Sequence, residues 1–129
     1  MFTSEAITNG VRVSVESSFD PLRSRINENQ WFFLYTIVIA NEGERRVQLM
    51  SRHWIITDES GHTEEVRGTG VVGEQPVLEP GESFEYTSGC PLPTPTGTMQ
   101  GTYQMRTEGG ETFEAEIAPF LLSEPYLVN

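Results

Sequence analysis

The sequence contains no lysine: all eight of its basic residues are arginine. That absence excludes Schiff-base chemistry on a lysine amine, and it excludes the lysine-bearing phosphate loop of nucleotide hydrolases. Cysteine is nearly absent as well. Cys90 stands alone, so no internal disulfide can form and an oxidising, exported setting is not indicated. The N-terminal stretch M-F-T-S-E-A-I-T-N-G has no basic cluster followed by an apolar run, and a secretory signal is not expected. The longest apolar run, Trp31 to Ala40 with Thr36 inside it, is about half of what a membrane crossing needs. Basic charge is scarce overall: nineteen acidic residues against eight arginines give a net charge of −11. Such a field repels phosphate backbones and anionic lipid, so neither direct nucleic-acid binding nor membrane insertion is expected. A cytoplasmic protein is the expectation, its acidic surface serving solubility, basic partner surfaces or loosely held cations.

What is present is alternation. At 129 residues the chain is a single domain, 1–129, with a strand core over about 10–120 and peripheral terminal segments. V-R-V-S-V at 11–15 alternates as a strand with one buried face should. W-F-F-L-Y-T-I-V-I-A at 31–40 reads as a central strand covered on both sides for part of its length. R-V-Q-L-M-S-R-H-W-I-I-T at 46–57 follows, and D-E-S-G at 58–61 closes a hairpin onto residues 62–67. Pro80 and Gly81 suit the centre of a type II turn, leading into a strand from Ser83 to Tyr86. Beyond a proline-rich connection at 91–97, strands are expected at 99–106 and 112–118, with an apolar tail lying over a sheet edge. Prolines at 76, 80, 91, 93 and 95 exclude a long helix there. The expected fold is therefore an all-β, immunoglobulin/fibronectin-III-like antiparallel sandwich of about seven strands. Tyr103, two residues before Met105, matches the position of a tyrosine corner, and Trp54 that of the core tryptophan.

Three features could carry chemistry. Gly68, Gly70 and Gly73 match the dinucleotide spacing G-x-G-x-x-G. That fingerprint needs a helix whose N-terminus meets the phosphates, yet Pro76 and Pro80 stand where the helix would run. The glycines instead suit positive φ and close backbone approach, or a helix-free anion nest flanked by Arg52 and Arg67. His53 and His62 flank the 58–61 turn. If Thr57 pairs with His62, the two rings share a face but stand roughly 13 Å apart at ~3.3 Å per residue, too far to share one ion. No metal site is expected beyond loose Mg²⁺ or Ca²⁺ at Asp58, Glu59 or the Glu64–Glu65 pair. Cys90 has no base at a recognised spacing and reads as a small buried hydrophobe. No catalytic constellation and no cofactor are expected. The triplet Arg52, His53 and Trp54 is a candidate partner surface, with Trp54 itself largely buried.

The runs L-M-S-R-H-W-I-I-T-D-E-S-G, V-R-G-T-G-V-V-G-E-Q-P-V-L-E-P-G-E-S-F-E-Y-T-S-G-C and G-T-M-Q-G-T-Y-Q-M resemble the bacterial ApaG (CorD) family over about residues 5–125. The resemblance implies an immunoglobulin/fibronectin-III-like sandwich. It also implies kinship with domains at the C-terminus of a eukaryotic F-box protein and in a polymerase-delta-interacting protein, where they look like interaction modules. A genetic association with cobalt resistance and magnesium efflux comes with the family. The expectation is a non-enzymatic protein-interaction module with an unidentified protein partner, monomeric or weakly homodimeric. The alternative is a binder of a pyrophosphate or nucleotide anion, or of a divalent cation, through the Gly68–Gly73 loop.

Overall fold

In the computed structural model, which describes residues 1–125, most of the chain is strand. Nine strands are present among the described residues: β1 (Phe2–Thr8), β2 (Val11–Phe19), β3 (Trp31–Asn41), β4 (Val47–Asp58), β5 (Thr63–Thr69), β6 (Val77–Leu78), β7 (Ser83–Leu92), β8 (Thr96–Thr107) and β9 (Thr112–Ser123). They form two antiparallel sheets, ordered β1-β2-β3-β7 and β5-β4-β8-β9, with β6 also on β4. One short 3-10 turn, Ile26–Glu28, interrupts the pattern. No helix among the described residues is long and apolar enough to cross a membrane. The sandwich is the fold that the alternation predicts.

Alternate side chains of each strand make the core. β3 sends Trp31, Phe33, Tyr35, Ile37 and Ile39 inward, and its outward residues are half-buried. From the other sheet come Leu49, Trp54, Met99, Tyr103, Met105 and Ile117. Trp54 is the core tryptophan expected, edge-on to Tyr35, Tyr103 and Phe120. The Tyr103 expectation needs correction. A tyrosine corner bonds to nearby backbone, whereas the fully buried Tyr103 hydroxyl meets the Tyr86 hydroxyl across the two sheets at 2.5 Å. It is a tie through the middle of the sandwich, and burial raises the pKa of both phenols.

Other differences concern the ends and the turns. β1 was not expected, because F-T-S-E-A-I-T buries no side chain completely. It forms through its ladder with β2 and through side-chain bonds to β9, Ser4 Oγ donating to the Ala118 carbonyl and the Glu116 amide donating to Thr8 Oγ1. The expected apolar tail is the continuation of β9, and Phe120 and Leu122 belong to the core rather than to a cover. Tyr126, the last residue of that expected tail, lies outside the described residues. The proline-rich connection shrinks to residues 93–95. At the 58–61 hairpin, Gly61 (φ +91°) donates to the Asp58 carbonyl, and the Asp58 amide donates to the His62 carbonyl. This three-residue loop with a glycine bulge shifts the expected register by one, so that Thr57 pairs with Thr63 and His53 with Arg67. One residue of slip reverses faces, which leaves His53 and His62 on opposite sides of the sheet.

Removing either phenol hydroxyl strands the other in the core. Tyr86→Phe and Tyr103→Phe should each lower the unfolding free energy by about 1–2 kcal/mol, and the double variant by less than the two losses together. Denaturant titration of the four proteins measures this; strictly additive losses would mean that the hydroxyls do not interact.

Candidate functional site

The residues of the R-H-W triplet are separated by a bulge. Where β4 pairs with β8, Leu49 faces Met105 and Ser51 faces Gln104, so Met50 is an extra residue without a partner. Before it Val47 and Leu49 point into the sandwich; after it Trp54 does, with Arg52 opposite the buried Tyr103. His53 falls on the outer face, where its Nε2 lies 2.7 Å from Glu65 Oε1. That contact, more than the nearby Arg67, holds the Glu65 carboxyl below its usual pKa. The three side chains therefore do not make one surface. Trp54 is core, whereas Arg52 and His53 both border a shallow cavity of about 470 Å³ that Arg67 and Gly68 also line.

Arg52 is committed to the glycine stretch. Its Nη1 donates to the Gly70 carbonyl at 2.8 Å and to the Thr69 carbonyl at 3.2 Å. Its guanidinium lies over Gly68, where a Cβ would stand 2.8 Å from Cζ. Gly70 (φ +63°) donates its amide to the Met50 carbonyl, and a Cβ there would stand 2.2 Å from the Glu74 carbonyl oxygen. Val71 and Glu74 exchange two backbone hydrogen bonds of 2.8 Å around Val72 (φ +43°) and Gly73 (φ +81°). Two successive positive φ values define a type I′ turn. The Val71 side chain is buried in the core and plugs the loop into the sandwich.

Close packing and positive φ are thus what these glycines serve, and strand β5 runs into a turn rather than a helix. The amides of Gly70, Val71 and Glu74 bond within the chain, and the carbonyls of Thr69 and Gly70 face the one nearby cation. Arg67 turns to Glu65 at 3.5 Å and does not join the loop. Three of the loop amides are thus used locally, and the only cation bonded to the loop among the described residues, Arg52, donates to its carbonyls.

Of the carboxylates proposed for cations, Asp58, Glu59 and Glu65 are engaged among the described residues and Glu64 is not. Asp58 Oδ1 accepts the Ser60 amide and hydroxyl and the His62 amide, and the Ser60 bond is the main reason that its carboxyl titrates low. Glu59 accepts the Thr96 hydroxyl at 2.7 Å. No group of three or more His, Cys, Asp or Glu side chains that could hold a metal ion occurs among the described residues.

The feature that the sequence did not reveal is a groove of about 310 Å³ between β7 and β5, at the mouth of the sandwich. Tyr35, Trp54, Ile56 and Met99 form its floor, Val66 and Glu64 one wall, and the segment Ser88–Pro91 the other. Cys90 lies in that wall, within β7 rather than after it, and is buried as expected. Burial pushes its thiol pKa up to about 12, with a smaller contribution from Glu64. Tyr35 is likewise raised, chiefly by burial. Each shifted group at the groove moves away from neutrality, the reverse of the tuning that general acid–base or thiolate catalysis requires.

Comparison with known proteins agrees with this architecture. Residues 21–107 match the ApaG domain family. A protein named ApaG from Rhodopseudomonas palustris is 58% identical over 120 residues, 93% of this chain and 92% of the relative. Another, from Methylorubrum populi, is 58% identical over 95% of each chain. A crystal structure of an ApaA protein from Bordetella pertussis superposes with a TM-score of 0.87 at 55% identity, covering 89% of this chain and 94% of that one.

Two outcomes test the site geometry. Gly70→Ala places a side chain at positive φ and against the Glu74 carbonyl, and should cost about 2 kcal/mol or more; Gly73→Ala, in open space, should cost about 1 kcal/mol, both read by thermal or denaturant unfolding. Equal losses would contradict the packing role of Gly70. Cys90 should resist alkylation at pH 8 in the folded protein, because its pKa of about 12 leaves almost no thiolate, and should label at the rate of global unfolding. Rapid labelling without denaturant would show that the thiol is open to solvent.

Proposed function

We propose a function on one premise: this chain belongs to the ApaG family. It acts as a non-enzymatic protein-interaction module, a cytoplasmic monomer that engages a protein partner at the mouth of its sandwich. The observation that carries this reading is β5. Every one of its residues except Gly68 is exposed, although three strands of the same sheet are packed on one face. A strand with both faces wet, standing beside the groove floored by Trp54, is surface held out for contact rather than part of the core. Its Val66 is 36% exposed where its neighbour across the ladder, Trp54, is 3% exposed. The upward-shifted Tyr35 phenol and Cys90 thiol at the groove favour binding over chemistry there.

The alternative, a binder of pyrophosphate, nucleotide or divalent cation at Gly68–Gly73, has less support, because the Gly70, Val71 and Glu74 amides and Asp58 Oδ1 already have partners. In the favoured reading, any part in Co²⁺ resistance or Mg²⁺ efflux runs through the protein partner.

Quantitative affinity capture from a lysate, with the wild type and Val66→Glu in parallel, tests the module. A specific protein recovered by the first and at least tenfold depleted with the second is expected. Capture of no specific protein, or equal capture by both, overturns the reading. Calorimetric titration with pyrophosphate, Mg²⁺ and Co²⁺ should give no heat at millimolar ligand, and a saturable heat would instead favour the ligand binder.

A further inference from the structure

One side of the sandwich is closed and the other is a strand short. β9 lies against β1 and β2, so the Ser4, Thr8 and Ser17 hydroxyls reach β9 directly. At the far side, among the described residues, β7 ends its sheet with no second strand beside it, and β5 overhangs without a strand of the opposite sheet over it.

The hydrogen-bond alternation fixes what β7 presents. The Asn41 amide donates to the Glu82 carbonyl, while the Asp20 amide donates to the Phe32 carbonyl and the Glu42 amide to the Gly10 carbonyl. Odd-numbered residues of β3 thus face β7 and even-numbered ones face β2. Given the register Ile37↔Tyr86, the even residues of β7 bond to β3, and the backbone groups of Ser83, Glu85, Thr87 and Gly89 point away from the sheet. Pro91 continues that series, so the amide hydrogen it lacks falls on the unpaired edge. Four unpaired residues in register, beside an apolar floor, are what an added strand needs.

Charge selects the occupant. Glu64, in the groove wall, has no ion pair among the described residues. From Gly68 to Met105 the chain carries Glu74, Glu79, Glu82 and Glu85 and no basic residue. Arg52, the one cation at the groove, is turned to the Thr69 and Gly70 carbonyls. A second copy of this chain is a poor occupant, since edge-to-edge pairing of β7 would bring the Glu85 side chains of two chains of net charge −11 together.

We propose that the free edge of β7 accepts an extended, arginine- or lysine-bearing segment of the partner protein as the fifth strand of its sheet. The segment's inward side chains pack on Trp54 and Val66 and bring a cation to Glu64; its backbone pairs with Ser83, Glu85, Thr87 and Gly89. This rests on the interaction-module reading and specifies how that module binds.

The test uses a display library of random ten-residue peptides selected on the full chain, followed by amide exchange with one selected peptide. Selected peptides should be enriched in arginine or lysine at alternate positions. A bound peptide should slow exchange of the Glu85, Thr87 and Gly89 amides at least tenfold, and Glu64→Gln should weaken its affinity several-fold and flatten its salt dependence. Peptides without cation enrichment, binding unchanged by Glu64→Gln, no binders at all, or protection that misses these amides would each overturn the proposal. Protection that rises with protein concentration and without peptide would place a second copy on the edge, and would also overturn it. If a lysate partner sensitive to Val66→Glu survives any of those failures, the module stands and only strand addition falls.

Discussion

A single unpaired residue, Met50, fixes the rest of the site. By adding one position to β4 opposite β8, the bulge reverses which alternate side chains enter the sandwich. Without it, His53 would point into the core and Trp54 toward water. The same bulge frees the Met50 carbonyl, which accepts the Gly70 amide and Gln75 Nε2, both at 2.9 Å. A carbonyl that would otherwise serve a ladder thus anchors both ends of the glycine loop. Leu49 adds a third tether by donating its amide to the Pro76 carbonyl at 3.0 Å. Trp54 in the core, Arg52 on the loop and Val71 plugged beneath it all follow from one insertion.

Most polar groups inside the sandwich are paired; among the described residues Thr107 Oγ1 is the one buried polar side-chain atom without a partner. Asn41 is buried, yet its Nδ2 donates to the Arg45 and Leu78 carbonyls and its Oδ1 accepts the Gly43 amide. It joins the end of β3 to β6 and to the turn before β4, and so ties one sheet to the other. Trp31 Nε1 donates to the buried Glu124 at 2.7 Å, which fastens the end of the described chain to the first residue of β3. Buried polar groups with complete partners specify one arrangement, because any slip leaves them unpaired at a cost comparable to a large cavity. The tie between Tyr86 and Tyr103 does the same for the distance between the sheets.

Alternation was legible in the sequence, and register was not. Runs such as V-R-V-S-V and F-E-A-E-I place their strands and inward faces unambiguously, because period-two burial is local. The Met50 bulge has no local signature: L-M-S-R-H-W reads as unbroken strand, and only the fit against β8 shows the extra residue. The same holds for D-E-S-G-H, where whether four residues or three form the loop depends on Gly61 taking positive φ. β1 and the end of β9 escaped because each relies on a neighbour distant in sequence, 114 residues for Ser4 and Ala118. The glycine motif was read correctly in kind, since prolines deny it a helix. Which amides it leaves open depended on Val72 and Gly73 closing a turn that neither residue dictates alone. The groove was invisible because it is defined by a strand that is not there.

Six of the eight arginines already pair with carboxylates among the described residues: Arg12, Arg23, Arg25, Arg45, Arg46 and Arg67. The surplus acid is therefore what the surface presents, and at the open edges it has a specific consequence. Exposed edges are ordinarily guarded by lysine, proline, bulges or a covering loop. β5 carries Glu64, Glu65 and Arg67, a mixed guard that suits an edge closed to all comers. β7 has no cation and no bulge against β3, and its proline sits near its far end. In the proposed mode, repulsion between like charges disfavours edge-to-edge pairing of two copies, since each edge carries Glu85. It does nothing against a cationic strand. In the proposed mode of binding, an edge whose one charged residue is Glu85 disfavours its own copy and suits a strand of opposite charge.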